Sequence, residues 1–373
     1  MRTTILLLGA IAAFPAVASA QAVEGGQSSG ITGIQVRRYS FESGSPNAWV
    51  RQVAIPFAVM VPIGKRLSVD VGTHYASTTV RSSAGSEESL NGLTDTQLRG
   101  SYIFGNDALV ATLLVNLPTG QEKTSFTKFN NVAGQIASNF LLFPVNSYGS
   151  GTSATGGLAA ATQFGNWNVG AAGSVRVNAS YQPFSDAAQA SLRYKPGVEG
   201  RIRLGADRLV GSSRLEAGVT LSTFSNDEFT GAAASTGSYN PGTRYIGELG
   251  LTSPYKSGSV SLYLWDFYRS NAKDTSTVTV SNRENIFTAG ASANFPLSPA
   301  VGLRPLIEGR FWSGAGRSGQ LYGGGASLPI GVSPRFQFTP GARYDFGHLE
   351  TPAVTGSKSI KGWELSGLLR YSF

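Results

Sequence analysis

A two-residue alternation of apolar and polar side chains recurs along nearly the whole chain and constrains its fold more than any other feature. Leu67, Val69, Val71, Thr73 and Tyr75 alternate with Ser68, Asp70, Gly72, His74 and Ala76. Leu98, Gly100, Tyr102 and Phe104 alternate with Asp95, Gln97, Arg99 and Ser101. Val198, Ile202, Leu204 and Ala206 alternate with Glu199, Arg201, Arg203 and Asp207. Phe336, Phe338, Pro340, Ala342, Tyr344 and Phe346 alternate with Arg335, Gln337, Thr339, Arg343 and Asp345. Successive side chains of an extended chain point to opposite faces, so each stretch reads as a strand with one apolar and one polar face. Strand by strand, a soluble sandwich would give the same pattern.

The connections separate the two. Short ones rich in Pro, Gly, Asn or Ser fall at 62–66, 105–106, 165–166, 208–213, 253–257, 296–300 and 329–334. Between them lie connections at 42–48, 77–93, 118–155, 180–196, 225–242, 270–283, 313–319 and 347–361, most of them long. Short turns alternating with longer loops are the pattern of a transmembrane antiparallel β-barrel, with the turns on the periplasmic side. Seven turns and eight loops give an all-β fold of sixteen strands, at about 22 residues per strand with its share of loop. Fourteen strands is the alternative, because the facing of 34–41 and 260–269 is ambiguous.

Composition agrees. Charged residues are only 14% of the chain and hydrophobic residues 41%, less charge than a soluble domain of 373 residues carries. No apolar run approaches the ~20 residues of a transmembrane helix after the first 20 positions. There the sequence has the form of a secretory signal peptide: Arg2, an apolar stretch over 5–17, then Ala18-Ser19-Ala20. We expect cleavage before Gln21, leaving 21–373 as the barrel and reducing the net charge from +8 to +7. The absence of Cys removes disulfides, thiolate nucleophiles and Cys-based zinc sites. No cofactor, metal or nucleic-acid motif is present; Gly323-Gly324-Gly325 lies in a strand and lacks the following helix that a nucleotide loop needs.

The final strand places Trp363, Leu365, Gly367, Leu369, Tyr371 and Phe373 on one face and ends on Phe373. Tyr371 and Phe373 resemble the terminal signal by which outer-membrane barrels are recognised by the barrel-assembly machinery. Phe104, Phe164, Phe295 and Phe373 close strands at the short-turn side and Trp167 opens one, as an aromatic girdle at the lipid interface requires.

Inside such a barrel the polar faces bring both charge signs to the lumen. Pore-lining candidates are Asp70, Asp95, Arg99, Arg176, Glu199, Arg201, Arg203 and Asp207 in the first half. Arg304, Glu308, Arg310, Arg335, Arg343, Asp345 and Arg370 are those of the second. Arg outnumbers Lys, 22 to 8, and its rigid guanidinium suits fixed networks with carboxylates. Such groups either stiffen the wall or bias permeation mildly towards anions. The longest loop, 118–155, follows the fifth strand and is apolar in its middle. Val132, Ile136, Phe140 and Phe143 recur at helical spacing, with Leu141 alongside. That surface should bury itself, so these residues are constriction candidates, whether in the lumen, at the rim or against a neighbouring subunit.

Leu113-Leu114-Val115-Asn116-Leu117-Pro118-Thr119-Gly120 resembles a strand-then-turn motif of the outer-membrane barrels of the phenol-degradation meta-pathway family. Tyr194-Lys195-Pro196-Gly197, followed by Arg201, Arg203 and Gly205, is similar to it as well. That family is distantly similar to FadL-type channels for hydrophobic compounds. The resemblance implies passive uptake of small aromatic or aliphatic compounds, and no individual binding residue is carried over. FadL-type proteins have a longer N-terminal plug; here only 21–33 precede the first strand.

The sequence therefore predicts a non-enzymatic outer-membrane channel for small solutes, surrounded by outer-membrane lipid, with a homo-oligomer left open. The competing reading is a structural or adhesive barrel with a plugged lumen, motivated by the polar loop at 227–242. A hydrolase is disfavoured, because His74 and His348 sit in no nucleophile motif.

Overall fold

The structure is a computed structural model that describes residues 27–105, 108–186, 191–231, 238–274, 279–280, 282–350 and 356–373. The expected signal peptide lies outside the described residues. Sixteen strands form the barrel. They are β1 (Ser29–Phe41), β2 (Asn47–Ile63), β3 (Leu67–Ser82) and β4, which runs in two segments (Glu87–Leu93 and Thr96–Phe104). Then come β5 (Leu109–Leu117), β6 (Ser153–Phe164), β7 (Trp167–Asn178), β8 (Glu199–Val210), β9 (Ser213–Phe224) and β10 (Arg244–Tyr255). The remainder are β11 (Gly258–Arg269), β12 (Glu284–Pro296), β13 (Gly302–Gly314), the interrupted β14 (Arg317–Ser327 and Ile330–Ser333), β15 (Phe336–Glu350) and β16 (Lys358–Ser372).

Every neighbouring pair is antiparallel, and β1 closes the sheet on β16 from Ser29↔Ser372 to Phe41↔Ile360. Closure leaves no unpaired edge, which is the condition for extended backbone to cross lipid. The alternation then sets the two faces. Phe57, Leu113, Leu158, Ile202, Leu262, Ile307 and Leu365 point outward and are 52–65% exposed. A continuous apolar surface of that kind is unsustainable in water and is the lipid-facing band of a membrane barrel. Phe164 and Phe373 stand exposed at the short-turn end, where Tyr371 stacks on Phe373 at 5.8 Å. The chain is thus a sixteen-stranded β-barrel of the bacterial outer membrane, and the fourteen-stranded alternative is set aside.

Every hairpin turn falls where the sequence places a short connection. The outer loops differ in length. β3 runs on to Ser82 and β4 begins at Glu87, so most of 77–93 is strand. β15 likewise extends to Glu350, which puts His348 on a strand rather than in a loop. Beyond the membrane neither face needs to be apolar, so the alternation fades while the hydrogen-bond ladder continues through β-branched residues such as Thr78, Thr79 and Val80. Arg335 is a second correction: it lies exposed in the turn between β14 and β15, next to Pro334, and not on the lumen wall. Proline has no N–H for the ladder, so the strand stops there. Above the rim, the outer connections build a small second sheet from Arg193–Lys195, Asp227–Thr230, Ser238–Asn240, Ala272–Asp274 and Thr279–Val280.

Closure depends on a missing side chain. Gly362 on β16 faces Tyr39 on β1, and a Cβ at Gly362 would collide with the tyrosine ring. Gly362→Val is therefore expected to destabilise the barrel by about 1–3 kcal/mol. Heat-modifiable gel mobility and urea unfolding in detergent micelles check this, and an unchanged midpoint would contradict it.

Candidate functional site

The chain between β5 and β6 folds down into the barrel. Both of its ends are held by one carboxylate. Asp95 sits in the break between the two segments of β4, where the interrupted ladder turns its side chain towards the loop. It accepts hydrogen bonds from Gly120 N at 3.1 Å, Ser150 N at 2.7 Å, Ser150 Oγ at 3.3 Å and Asn116 Nδ2 at 2.8 Å. Asp95 is only 8% exposed, so its expected place on an open pore wall is replaced by a buried clamp on the loop.

Within the loop, a helical run (α1) covers Phe126 to Ile136, begun by Ser125, whose Oγ accepts from Lys128 N at 3.2 Å. Val132 and Ile136 share its buried face; the chain beyond it buries Phe140, Leu141, Phe143, Val145 and Tyr148. These residues form one cluster with the inward side chains Tyr39, Val50, Ala54, Ala76, Val80 and Leu90 of β1–β4. The same cluster takes in Phe267, Ile286, Leu321 and Ile360 of β11, β12, β14 and β16. Phe143 meets Tyr39 edge-on at 5.6 Å, and Phe140 stacks on Trp312 at 5.4 Å. Polar anchors fix the backbone. Gln52 Nε2 donates to Val145 O at 2.8 Å while Val145 N donates to Gln52 Oε1 at 2.8 Å. Arg37 donates to Leu141 O at 3.3 Å and to Leu142 O, and Arg310 donates to Phe140 O. The loop is thus tied to the wall at β1, β2 and β13.

Beneath it runs a charged row whose members alternate with glycine. Tyr263, Gly290, Glu308, Gly323, Asp345, Gly362 and Tyr39 are successive register partners across β11 to β16 and on to β1. Tyr263 lies over Gly290, Asp345 over Gly323 and Tyr39 over Gly362; a Cβ at Gly323 would meet both Asp345 and Arg343. The space lets the groups reach one another. Tyr263 Oη donates to Glu308 Oε2 at 2.7 Å, and Glu308 Oε1 accepts from Arg310 Nη2 at 2.6 Å and from Arg343 Nη2 at 2.9 Å. Arg343 Nε donates to Asp345 Oδ1 at 2.7 Å, and Tyr39 Oη donates to Asp345 Oδ2 at 3.0 Å. Arg37 Nε donates to Glu364 Oε2 at 2.7 Å beside them. Buried charges connected in this way are held rigidly, and losing one strands the others.

The wall across from the loop is built differently. Thr112, Gly157 and Ser174 are register partners on β5, β6 and β7, and Ala159 faces Ala172 one step further along. These inward side chains are small. Next to them stand Arg176 on β7, Arg201 and Arg203 on β8, and Arg244 on β10. Arg201 pairs with Glu199 at 2.6 Å, Arg203 with Glu248, and Asp207 with Arg214 at 3.1 Å. Among the described residues, Arg176 and Arg244 form no ion pair, and Arg244 lies over the Phe224 ring at 4.6 Å. Arg99 is bonded to Asp70, at 2.6 Å, on β4 and β3. Arg304 donates to Asn294 Oδ1 at 3.1 Å near the short-turn end, where Arg370 also lies, on β16. Sequence reasoning missed Arg37, Tyr39, Gln52, Tyr263 and Trp312. Their importance lies in which residues the register sets opposite them, and single-strand patterning carries no such signal.

No protein-family model matches the chain, and no curated protein matches it in sequence. Among solved structures it is similar to the outer-membrane expressed OmpT of Vibrio cholerae (8% identity, 93% of this chain and 98% of that one, TM-score 0.44). It is also similar to the CymD monoaromatic hydrocarbon channel (11% identity, 93% and 88%, TM-score 0.45). A third is the anion-selective porin from Comamonas acidovorans (13% identity, 93% and 98%, TM-score 0.40). At such scores the likeness carries no weight in assigning a function, which has to rest on the lumen itself.

Two expectations follow from this geometry. Glu308→Ala leaves Arg310 and Arg343 without their shared carboxylate, and we expect a loss of about 3 kcal/mol in unfolding free energy. Urea unfolding in micelles measures it; a loss within error of zero would contradict the network. Burial pushes the Tyr148 hydroxyl up to about 12, and that hydroxyl donates to Leu90 O at 2.8 Å. The folded state favours the neutral phenol, so this anchor is complete below the ordinary tyrosine range near 10 and is lost as pH rises from there towards 12. The protection factors of the loop amides, corrected for the base-catalysed rise of intrinsic exchange, should fall over that interval in the native chain and stay flat in Tyr148→Phe.

Proposed function

We propose that the protein is an outer-membrane channel for passive diffusion of small solutes, with a permeation path between the inward-folded loop and the β5–β9 wall. The observation that carries this reading is the asymmetry of the lumen. One side is filled by the loop's apolar cluster, whereas the other presents Thr112, Gly157, Ala159, Ala172 and Ser174 followed by Arg176, Arg201 and Arg203. Small side chains leave room, and a barrel of this strand number is wide enough to keep an aqueous lumen beside a loop. A solute in that passage meets apolar surface from the loop on one flank and guanidinium groups on the other. Small aromatic or aliphatic compounds suit such a path, with a mild preference for anionic ones. Uptake of aromatic compounds also agrees with the resemblance of the 113–120 motif to the phenol-degradation barrels. Val132, Ile136, Phe140, Leu141 and Phe143 act as the body of the constriction, and Tyr371 and Phe373 as the assembly signal.

A plugged structural barrel is the second reading, favoured by the loop's several polar attachments to the wall, at Arg37, Gln52 and Arg310. Planar-bilayer recordings separate the two. The native protein should conduct, and replacing 122–149 by a short Gly-Ser linker should raise single-channel conductance at least roughly twofold. Conductance only after the deletion would mean a plug, and equal conductance before and after would remove the loop from the path. Arg176→Gln combined with Arg244→Gln should shift the reversal potential in a salt gradient towards cations. An unmoved potential would take those arginines off the route.

A further inference from the structure

The geometry points to a binding site for one phosphorylated lipid of the outer leaflet on the outside of the barrel, formed by Arg38, Arg51 and Trp49. Arg38 on β1 and Arg51 on β2 are direct register partners on the lipid-facing side. Ser40 links Trp49 to Lys361 across β1, and Trp49 faces Arg81 on β3. Four cations therefore gather on adjacent strands near the outer-loop ends of β16, β1, β2 and β3. Glu87 is the carboxylate beside them, and it is engaged by Arg81 at 3.5 Å.

Like charges directly opposite each other on a sheet are destabilising. Here both guanidinium groups crowd over one indole, Arg38 at 4.8 Å and Arg51 at 5.6 Å from the Trp49 ring. Among the described residues neither forms an ion pair, and Arg38 Nε is buried without a hydrogen-bond partner. Inside the barrel the contrast is plain, since most arginines there have a carboxylate within reach. An arrangement that concentrates positive charge and leaves donors unspent is completed by an anion. Two guanidinium forks match the oxygens of a phosphate group.

The level and the surroundings select the source of that phosphate. Trp363 is the register partner of Arg38, and Tyr344 that of Trp363, so the row lies in an aromatic girdle at headgroup height. Further down β2, on the same face, come Val53, Ile55 and the exposed Phe57. A lipid places its phosphate on the arginines and its acyl chains along this apolar surface at once, whereas a free phosphate would use only the upper part.

Native mass spectrometry of the full-length protein in detergent tests this, with bis-phosphorylated lipid A, the same lipid stripped of its phosphates, and inorganic phosphate as competitor. The native protein should retain one phosphorylated lipid, bind the dephosphorylated form about tenfold more weakly, and keep the lipid in excess inorganic phosphate. Arg38→Gln with Arg51→Gln should bring the two lipids to equal affinity. Equal binding of both lipids by the native protein would overturn the site without recourse to a variant that has to fold. So would displacement of the lipid by inorganic phosphate, or a lipid-free oligomer that the double substitution dissociates, which would make the patch a contact between copies.

Discussion

In hydrocarbon no water can pair with a peptide group, so every strand of this chain must find its partners within the sheet. The thirteen register pairs between β1 and β16 satisfy that demand by closing the ring. Once the ring is closed, each strand has one face in lipid and one in the lumen, and the alternation of side chains follows. The lipid face needs only to be apolar. The lumen face is an enclosed surface that packing, charge pairing or water has to occupy.

Packing and pairing dominate on the side formed by β11–β16 and β1–β4. The loop between β5 and β6 fills the space with an apolar cluster, and the row from Tyr263 to Tyr39 pairs the charges below it. The glycines of that row serve the pairing: without the space at Gly323, Arg343 could not reach Glu308 across β14. Asp95 joins the loop to the sheet by holding both of its ends at a break in β4. On the β5–β9 side the inward residues are small and then cationic. In the proposed channel this asymmetry keeps one barrel rigid on one side and open to solutes on the other.

Much of this was legible in the sequence, for a physical reason. A membrane strand has two different solvents on its two faces, so its side-chain pattern is strong, and sixteen strands with their seven turns could be placed from it. The pattern weakens where the solvents become alike, which is why β3 and β15 run on into the connections expected to begin at Ser77 and Gly347. At Arg335 the alternation runs on through a turn and misleads. The loop's burial was readable because Val132, Ile136, Phe140 and Phe143 are too apolar for open water. Its seat was not, because Arg37, Gln52 and Arg310 become its anchors only through a register that no single strand encodes. The same limit hid the glycine-spaced row, whose members come from seven strands.

The central claim is that the loop covers one side of the lumen and leaves the other open. The absence of Cys makes single introduced cysteines a background-free probe of it. Ser174→Cys on β7 and Ala76→Cys on β3 both face inward, the first on the small-residue wall and the second beneath the loop. In intact cells, a small membrane-impermeant thiol reagent should label Ser174→Cys rapidly and leave Ala76→Cys unmodified until the protein is unfolded. Equal labelling of the two in the folded barrel would contradict the claim.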